Sequence, residues 1–139
     1  MASRLEAILS ALMVKLERGM GLKVLRNSPL PTFGPTGVLI LHDGDPGDPE
    51  VTMSPLLYHY IHEAELDVFT QGENRQARFE EIKTGLAALL DEDRTLGGLC
   101  DWIEAGAPVP EDIHTQGAAV VKSAAIALRI HYATPDPLI

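Results

Sequence analysis

The stretch from Tyr58 to Thr70, YHYIHEAELDVFT, sets the architecture of this 139-residue chain. Its even-numbered positions are mainly apolar, whereas its odd-numbered positions are mainly acidic or histidine. Because successive side chains of a β-strand point to opposite faces, this pattern predicts a long strand with one buried face and one face in water. The apolar positions are Tyr58, Tyr60, Ala64, Leu66 and Val68, and the polar positions are His59, Glu63, Glu65 and Asp67.

A second alternating segment, from Ala118 to Ala133, predicts a partner strand. Two half-exposed strands favour an antiparallel sheet, because parallel strands are usually buried on both faces. The many alanines leave a helix open as an alternative for this segment. Its apolar positions are Ala124, Ile126, Leu128, Ile130 and Tyr132, and its polar positions are Ser123, Arg129 and His131.

Two amphipathic segments predict helices that cover the buried face of this sheet. Ser3 and Glu6 match a capping box, which predicts a first helix from about Arg4 to Arg18. The segment from Glu73 to Leu90 predicts the second helix. Its apolar stripe consists of Phe79, Ile82, Leu86, Leu89 and Leu90. We therefore expect one α+β domain over residues 1–139, with a mainly antiparallel sheet of about four to five strands packed by two helices, and a short proline-containing tail from about residue 134.

The segments before the long strand predict two short strands and two connections. Leu22–Arg26 and Val38–Leu41 are the candidate strands, and the prolines of Asn27–Pro35 indicate a loop between them. His42–Glu50 contains two prolines, two glycines and four acidic residues. We expect this second stretch to be an exposed connection that joins no strand ladder, because proline cannot donate a ladder hydrogen bond.

The segment between the second helix and the closing strand is less regular. Thr95–Ile103 predicts an irregular strand in which Gly97 and Gly98 mark a bulge or a close backbone approach. Gly106–Pro110 is expected to be a turn.

Composition restricts the class of function. Eleven Lys and Arg against twenty Asp and Glu give a formal net charge of −9, which disfavours specific nucleic-acid binding. No apolar run approaches the roughly 20 residues of a membrane helix, and charges interrupt any signal-peptide pattern near the N-terminus. We expect a soluble protein without a membrane partner. A single cysteine, Cys100, is most simply a buried and unreactive thiol.

The residue patterns that could indicate metal binding or catalysis do not match the spacing that such sites require. A calcium loop that starts at Asp43 would place Gly47 and Ser54 where oxygen ligands are required. His59 and His62 lie three residues apart on a strand and so point to opposite faces, where they cannot share an ion. We therefore expect no metal, no cofactor and no enzymatic activity. A small acyl- or CoA-transferring enzyme and a generic oligomeric adaptor remain open as alternatives.

The order of the elements and several short motifs carry a family resemblance. The motifs are an N-terminal helix around Leu5–Leu16, the acidic Asp-Gly-Asp-Pro-Gly core of Leu39–Glu50, the strand Tyr58–Val68, the segment Thr95–Leu99, the residues Gly106, Ala107 and Pro108, and a closing strand that ends at His131–Pro135. With this order the chain resembles the tail terminator family of long-tailed bacteriophages, the small proteins of the lambda minor tail protein U type. Such proteins also occur in prophages and gene transfer agents.

The resemblance implies an α+β fold and a role in virion assembly. Proteins of this family form a ring, usually a hexamer, that caps the tail tube, stops its polymerisation and offers its other surface to head-completion proteins. The implied partners are thus further copies of the chain, the tail tube protein and a head-completion protein. DNA would pass through the ring without specific binding. The implied location is the virion tail, after assembly in the bacterial cytoplasm.

Charged residues outside the expected core are the candidate contact groups for these partners. The hypothesis is that one set lies at a subunit interface or in the lumen of the ring, and ordinary solvation is the alternative for each of them. The candidates are Asp43, Asp45, Asp48 and Glu50 on the predicted connection, and His59, Glu63, Glu65 and Asp67 on the polar face of the strand.

Overall fold

The computed structural model describes residues 2–111 and 120–139 and has an α+β fold. The elements are α1 (Arg4–Gly19), β1 (Lys23–Arg26), β2 (Val38–Asp45), β3 (Glu50–Thr52), β4 (Leu57–Gln71), α2 (Arg75–Glu92), β5 (Trp102–Ala105), β6 (Val109–Glu111) and β7 (Val121–Thr134). The seven strands form one sheet in the order β1-β2-β4-β7-β5, with β3 beside β4 and β6 beside β7. All pairs are antiparallel except β1 with β2. In the described part of the chain, no helix is long and apolar enough to cross a membrane.

The core lies between one face of the sheet and the two helices. α2 begins after Asn74 and buries the predicted stripe from Phe79 to Leu90. α1 buries Ile8, Leu9, Leu12 and Leu16 against the same face. Burying each such side chain contributes about 1.5–3 kcal/mol, so these two stripes hold the helices on the sheet. Both predicted helices are confirmed.

The start of α1 differs from a full capping box. The Ser3 hydroxyl accepts a hydrogen bond of 3.2 Å from the Glu6 amide, as the pattern predicts. The Glu6 carboxylate, however, accepts two hydrogen bonds from the Arg26 guanidinium of β1, at 2.9 and 2.7 Å. A cationic partner from the sheet attracts the carboxylate more strongly than a neutral amide does.

The long strands β4 and β7 pair along their whole length, from Tyr58 opposite Thr134 to Gln71 opposite Val121. The strand prediction for β7 is confirmed and the helix alternative is wrong. Ala118, where that strand was expected to begin, lies outside the described residues. Burial alternates as predicted, with one exception: Ser123 is buried instead of facing water. The reason is β6, because the Ser123 hydroxyl donates a hydrogen bond to the carbonyl oxygen of Glu111.

The prediction that His42–Glu50 joins no ladder is wrong. β2 continues to Asp45, which pairs with Glu63, and β3 already begins at Glu50. The register between β2 and β4 shifts between His42 and Asp45, where Gly44 adopts a φ of 78°. A glycine with positive φ lets one strand bulge and then rejoin the ladder. The connection is therefore confined to residues 46–49.

Two further predictions require correction between α2 and β7. Regular pairing of the irregular strand starts only at Trp102, because Thr95 and its neighbours form a turn. The Asp93 carboxylate stabilises this turn by accepting hydrogen bonds from the amides of Thr95 and Gly97, at 2.9 and 2.8 Å. The expected turn Gly106–Pro110 is also too long, since its last two residues belong to β6. Proline is tolerated there because β6 is a short edge strand.

The connection from residue 27 to residue 35 carries no helix or strand, as predicted. It crosses one end of the sheet face that the helices leave uncovered. Phe33 packs there against Val38, Ile40 and Phe69, which form a second, smaller apolar cluster. This cluster limits the solvent-exposed part of that face.

Candidate functional site

The sheet face turned away from the helices, which we call the open face, carries the polar positions of β4. Glu65 stands between His42 of β2 and Ala127 of β7, and Asp67 stands opposite Ala125. The two alanines are too short to cover their acidic neighbours. The polar face that the alternation predicts is therefore present, and its charged groups lie beside a strip of small residues.

His42, Glu65 and Asp67 form a cluster on the open face. The His42 Nε2 atom is hydrogen-bonded to Asp67 Oδ2 at 2.9 Å. One nitrogen or oxygen atom from each of the three side chains lies within 4.8 Å of the other two. Burial and the neighbouring Glu65 and Glu111 carboxylates raise the pKa of Asp67 to about 6. The sequence reasoning found both acids but missed His42, because only the strand register brings it to them.

Asp43 stabilises the fold and does not lie on the open face. It points to the helix side of β2, where the Arg26 guanidinium donates to it at 2.7 and 3.0 Å while also binding Glu6. This guanidinium holds the pKa of both carboxyl groups below their usual range. The three side chains connect α1, β1 and β2. This ion pairing within the chain is enough to explain the presence of Asp43, without contact to a partner protein.

The other three acidic candidates of the connection lie near β3. The Asp45 carboxylate accepts a 2.8 Å hydrogen bond from the Gly47 amide, which is a turn-stabilising contact. Asp48 and Glu50 line an open cleft of about 490 Å³ together with His59 and His131. The structure thus separates the eight candidates: Asp43 is in an ion pair, Asp45 is in a turn, Asp48, Glu50 and His59 border the cleft, and Glu63, Glu65 and Asp67 lie on the open face.

Exposed apolar side chains lie at the two edges of the sheet, besides Ile61 on β4, and the sequence reasoning missed those at the edges. The hairpin edge consists of Val51 on β3 and of Met53 and Leu56 in the following turn; Met53 is 75% exposed. The far edge consists of Trp102 on β5, 46% exposed, and Val109 on β6, 63% exposed. In the sequence, the apolar residues around Pro55, which lie between two strands, were the signal from which an exposed hairpin could have been predicted.

Two polar side chains are buried away from these surfaces. His62 is 1% exposed, and its Nε2 atom bonds to the backbone carbonyl of Asp43. Cys100 is also buried, as predicted, and burial raises the pKa of its thiol to about 11. Its thiolate is therefore scarce at neutral pH, which favours a packing role over a nucleophilic one.

A scan against models of known protein families and a search of curated proteins find no match for this chain. The surface features are those of an α+β domain with a polar open face and two different apolar edges. The unpaired edge of a sheet can bind another chain, and contiguous exposed apolar surface marks sites of protein interaction.

Proposed function

We propose that this protein is a tail-terminator-like assembly protein, which forms a ring on the end of a phage or prophage tail tube. The observation that supports this proposal best is that opposite edges of one sheet carry dissimilar sets of exposed apolar side chains. Among the functions of ring-forming proteins, we choose tail termination because the order of the elements resembles that of the tail terminator family.

The hairpin edge supplies the first of two contact surfaces. β3 pairs with β4 on one side, from Glu50 opposite His59 to Thr52 opposite Leu57. The Thr52 hydroxyl and His59 Nε2 are 2.9 Å apart, which ties the two strands together. The turn beyond β3 holds Met53 and Leu56 in solvent. This arrangement presents an adaptable apolar tip on an ordered base.

The far edge supplies the second surface and has a different chemistry. The Arg94 guanidinium lies 5.1 Å from the centre of the Trp102 ring and also donates to the carbonyl of Ile103. These contacts fix an aromatic side chain that is still half exposed. Aromatic residues held in this way are frequent anchors of protein interfaces.

Two unlike patches are what a closed ring requires. In a ring each subunit uses one surface for its left neighbour and another for its right neighbour, which is a heterologous contact. If the hairpin edge of one copy meets the far edge of the next, both apolar patches are buried throughout the ring. The net charge of −9 then suits a lumen through which DNA passes without adhering. We expect six subunits, from the family resemblance.

In this role the ring stops polymerisation of the tail tube protein and presents its other side to a head-completion protein. The chain acts by stoichiometric binding, in the bacterial cytoplasm during assembly and in the virion tail afterwards. No cofactor or enzymatic step is part of the proposal.

If the gene lies in an inducible element, the decisive experiment is its deletion, followed by electron microscopy of the particles. Overlong tails, or tails not joined to heads, are expected. Wild-type protein supplied in trans should restore tails of uniform length. Particles of normal length and with normal joining after deletion would overturn the proposal.

Complementation with matched variants tests the ring contact. Met53→Asp places a charge in the hairpin edge, and Leu138→Asp makes the same change at a side chain that is 88% exposed outside both edges. Both variants should melt within about 2 °C of the wild type, because neither side chain is buried. Only Leu138→Asp should restore normal tails. Equal complementation by both variants would exclude the hairpin edge from the assembly.

A further inference from the structure

The cluster of His42, Glu65 and Asp67 has the composition of a metal site. Imidazole nitrogen and carboxylate oxygen are both ligands of divalent transition ions in proteins. The sequence hypotheses about metals concerned other groups, namely the Asp43–Glu50 connection and the pair His59 and His62. We propose that His42, Glu65 and Asp67 together bind one divalent ion of the Zn²⁺ type on the open face.

The three side chains lie near enough to one another to converge on one tetrahedral ion. Ligand atoms at about 2.0–2.1 Å from zinc are about 3.3 Å apart in a tetrahedron. Here the donor atoms all lie within 4.8 Å of one another, and the His42 and Asp67 atoms are 2.9 Å apart. Glu65 is exposed, so its side chain can rotate to close the remaining gap. Solvent can supply the fourth ligand.

A second observation favours a cation at this position. The Oδ1 atom of Asp67 is buried and has no hydrogen-bond partner among the described residues. Only 14% of this side chain is exposed, whereas Glu65 lies on the same face and Glu111 approaches from β6. An acceptor in this position is costly to bury unless a donor or a cation satisfies it. An ion bound by both carboxylate oxygens of Asp67 would satisfy Oδ1 as well as Oδ2 and would offset the repulsion among the carboxylates.

The scaffold holds two of the ligands firmly. His42 lies on β2 and Asp67 on β4, which are neighbouring strands inside the sheet. The facing residues of β7, Ala125 and Ala127, have small side chains. The mixed nitrogen and oxygen set favours Zn²⁺ and similar ions over Mg²⁺ and Ca²⁺, which prefer oxygen ligands alone.

Calorimetric titration of the full, chelator-treated chain with ZnCl₂ at pH 7 tests the site. We expect one ion per chain. His42→Ala should weaken binding at least about 100-fold, because it removes the nitrogen ligand. His59→Ala is the matched control, since it removes another histidine of the same sheet outside the cluster, and it should bind like the wild type.

Two further measurements keep the outcome interpretable. Glu65→Gln alters an exposed side chain, so the variant should fold normally and still bind zinc more weakly. The visible absorption of added Co²⁺ should show a low-symmetry site in the wild type and not in His42→Ala, and circular dichroism checks that each variant is folded. Binding weaker than about 1 mM in the wild type, or equal affinity in the wild type, His42→Ala and Glu65→Gln, would overturn the proposal.

Discussion

Replacing Gly44 by alanine tests whether a tight bulge, and not a loose loop, joins the acidic connection to the sheet. Gly44 lies within β2 at a φ of 78°, next to the backbone of β4. A Cβ atom there would be 1.9 Å from the carbonyl oxygen of Glu63 and 2.8 Å from the Cα of Ala64. Both neighbours are backbone atoms in a paired strand, so no side-chain rotation can relieve the overlap.

The expected cost has two parts. A non-glycine residue at positive φ is destabilised by about 1 kcal/mol through its own backbone. Carbon and oxygen approach favourably to about 3.3 Å, so the two strands would have to separate by more than about 1 Å at this point. Such overpacking costs about 1–3 kcal/mol more. Gly44→Ala should therefore lower the free energy of unfolding by about 2–4 kcal/mol, which is about 6–12 °C in Tm for a domain of this size.

Gly47→Ala provides the matched control for this measurement. Gly47 also has a positive φ, of 66°, but a Cβ atom added to it would have no neighbour within 4 Å. Only the backbone part of the cost, about 1 kcal/mol, should remain. Chemical denaturation and thermal melting of the two variants give the comparison. If Gly44→Ala is no less stable than Gly47→Ala, the bulge does not pack as described.

Two other predictions concern charge and thiol chemistry. Arg26→Met should be less stable than the wild type at pH 7, and the difference should fade as the pH falls below the ordinary pKa values of the Glu6 and Asp43 carboxyl groups. In the folded protein, the two carboxyl groups that Arg26 binds have pKa values below their usual range. Their contribution to the free energy of unfolding is therefore present above the pKa of the unfolded state and is lost as the pH falls through the pKa of the folded state. A pH-independent difference between the two proteins would contradict this. Cys100 is 5% exposed with a thiol pKa raised to about 11, so a disulfide reagent at pH 8 should label it only after denaturation, and rapid labelling of the folded chain would refute its burial.

Local patterns predicted the main elements because their cause is local. The alternation in β4 and the helical spacing in α2 each depend on residues that are neighbours along the chain. The same reasoning failed at His42–Glu50, where two glycines and two prolines indicate a turn. Residues 46–49 do connect β2 to β3 outside the ladder, but a bulge at Gly44 lets the preceding residues stay in the sheet. Bulges depend on the facing strand, which the local sequence does not reveal.

The candidate site was predicted only in part. The alternation of polar and apolar residues in β4 correctly predicted that Glu63, Glu65 and Asp67 lie on a face away from the core. The pairing of Asp43 with Arg26 and the approach of His42 to Asp67 were not predicted. The two apolar edges were missed as well, since apolar residues are usually assigned to the core unless their place in the sheet is known.

The order of residues along the chain was enough to identify the main strands and helices and the apolar side of each one. Which residues meet across the sheet followed only from the folded arrangement. The physical reason is that side chains alternate with a period of two, so sliding one strand by two residues leaves every side chain on the same face. The alternation in Tyr58–Thr70 therefore cannot choose between such registers. Packing against the helices and the bulge at Gly44 choose the observed one, which places His42 beside Glu65 and Asp67.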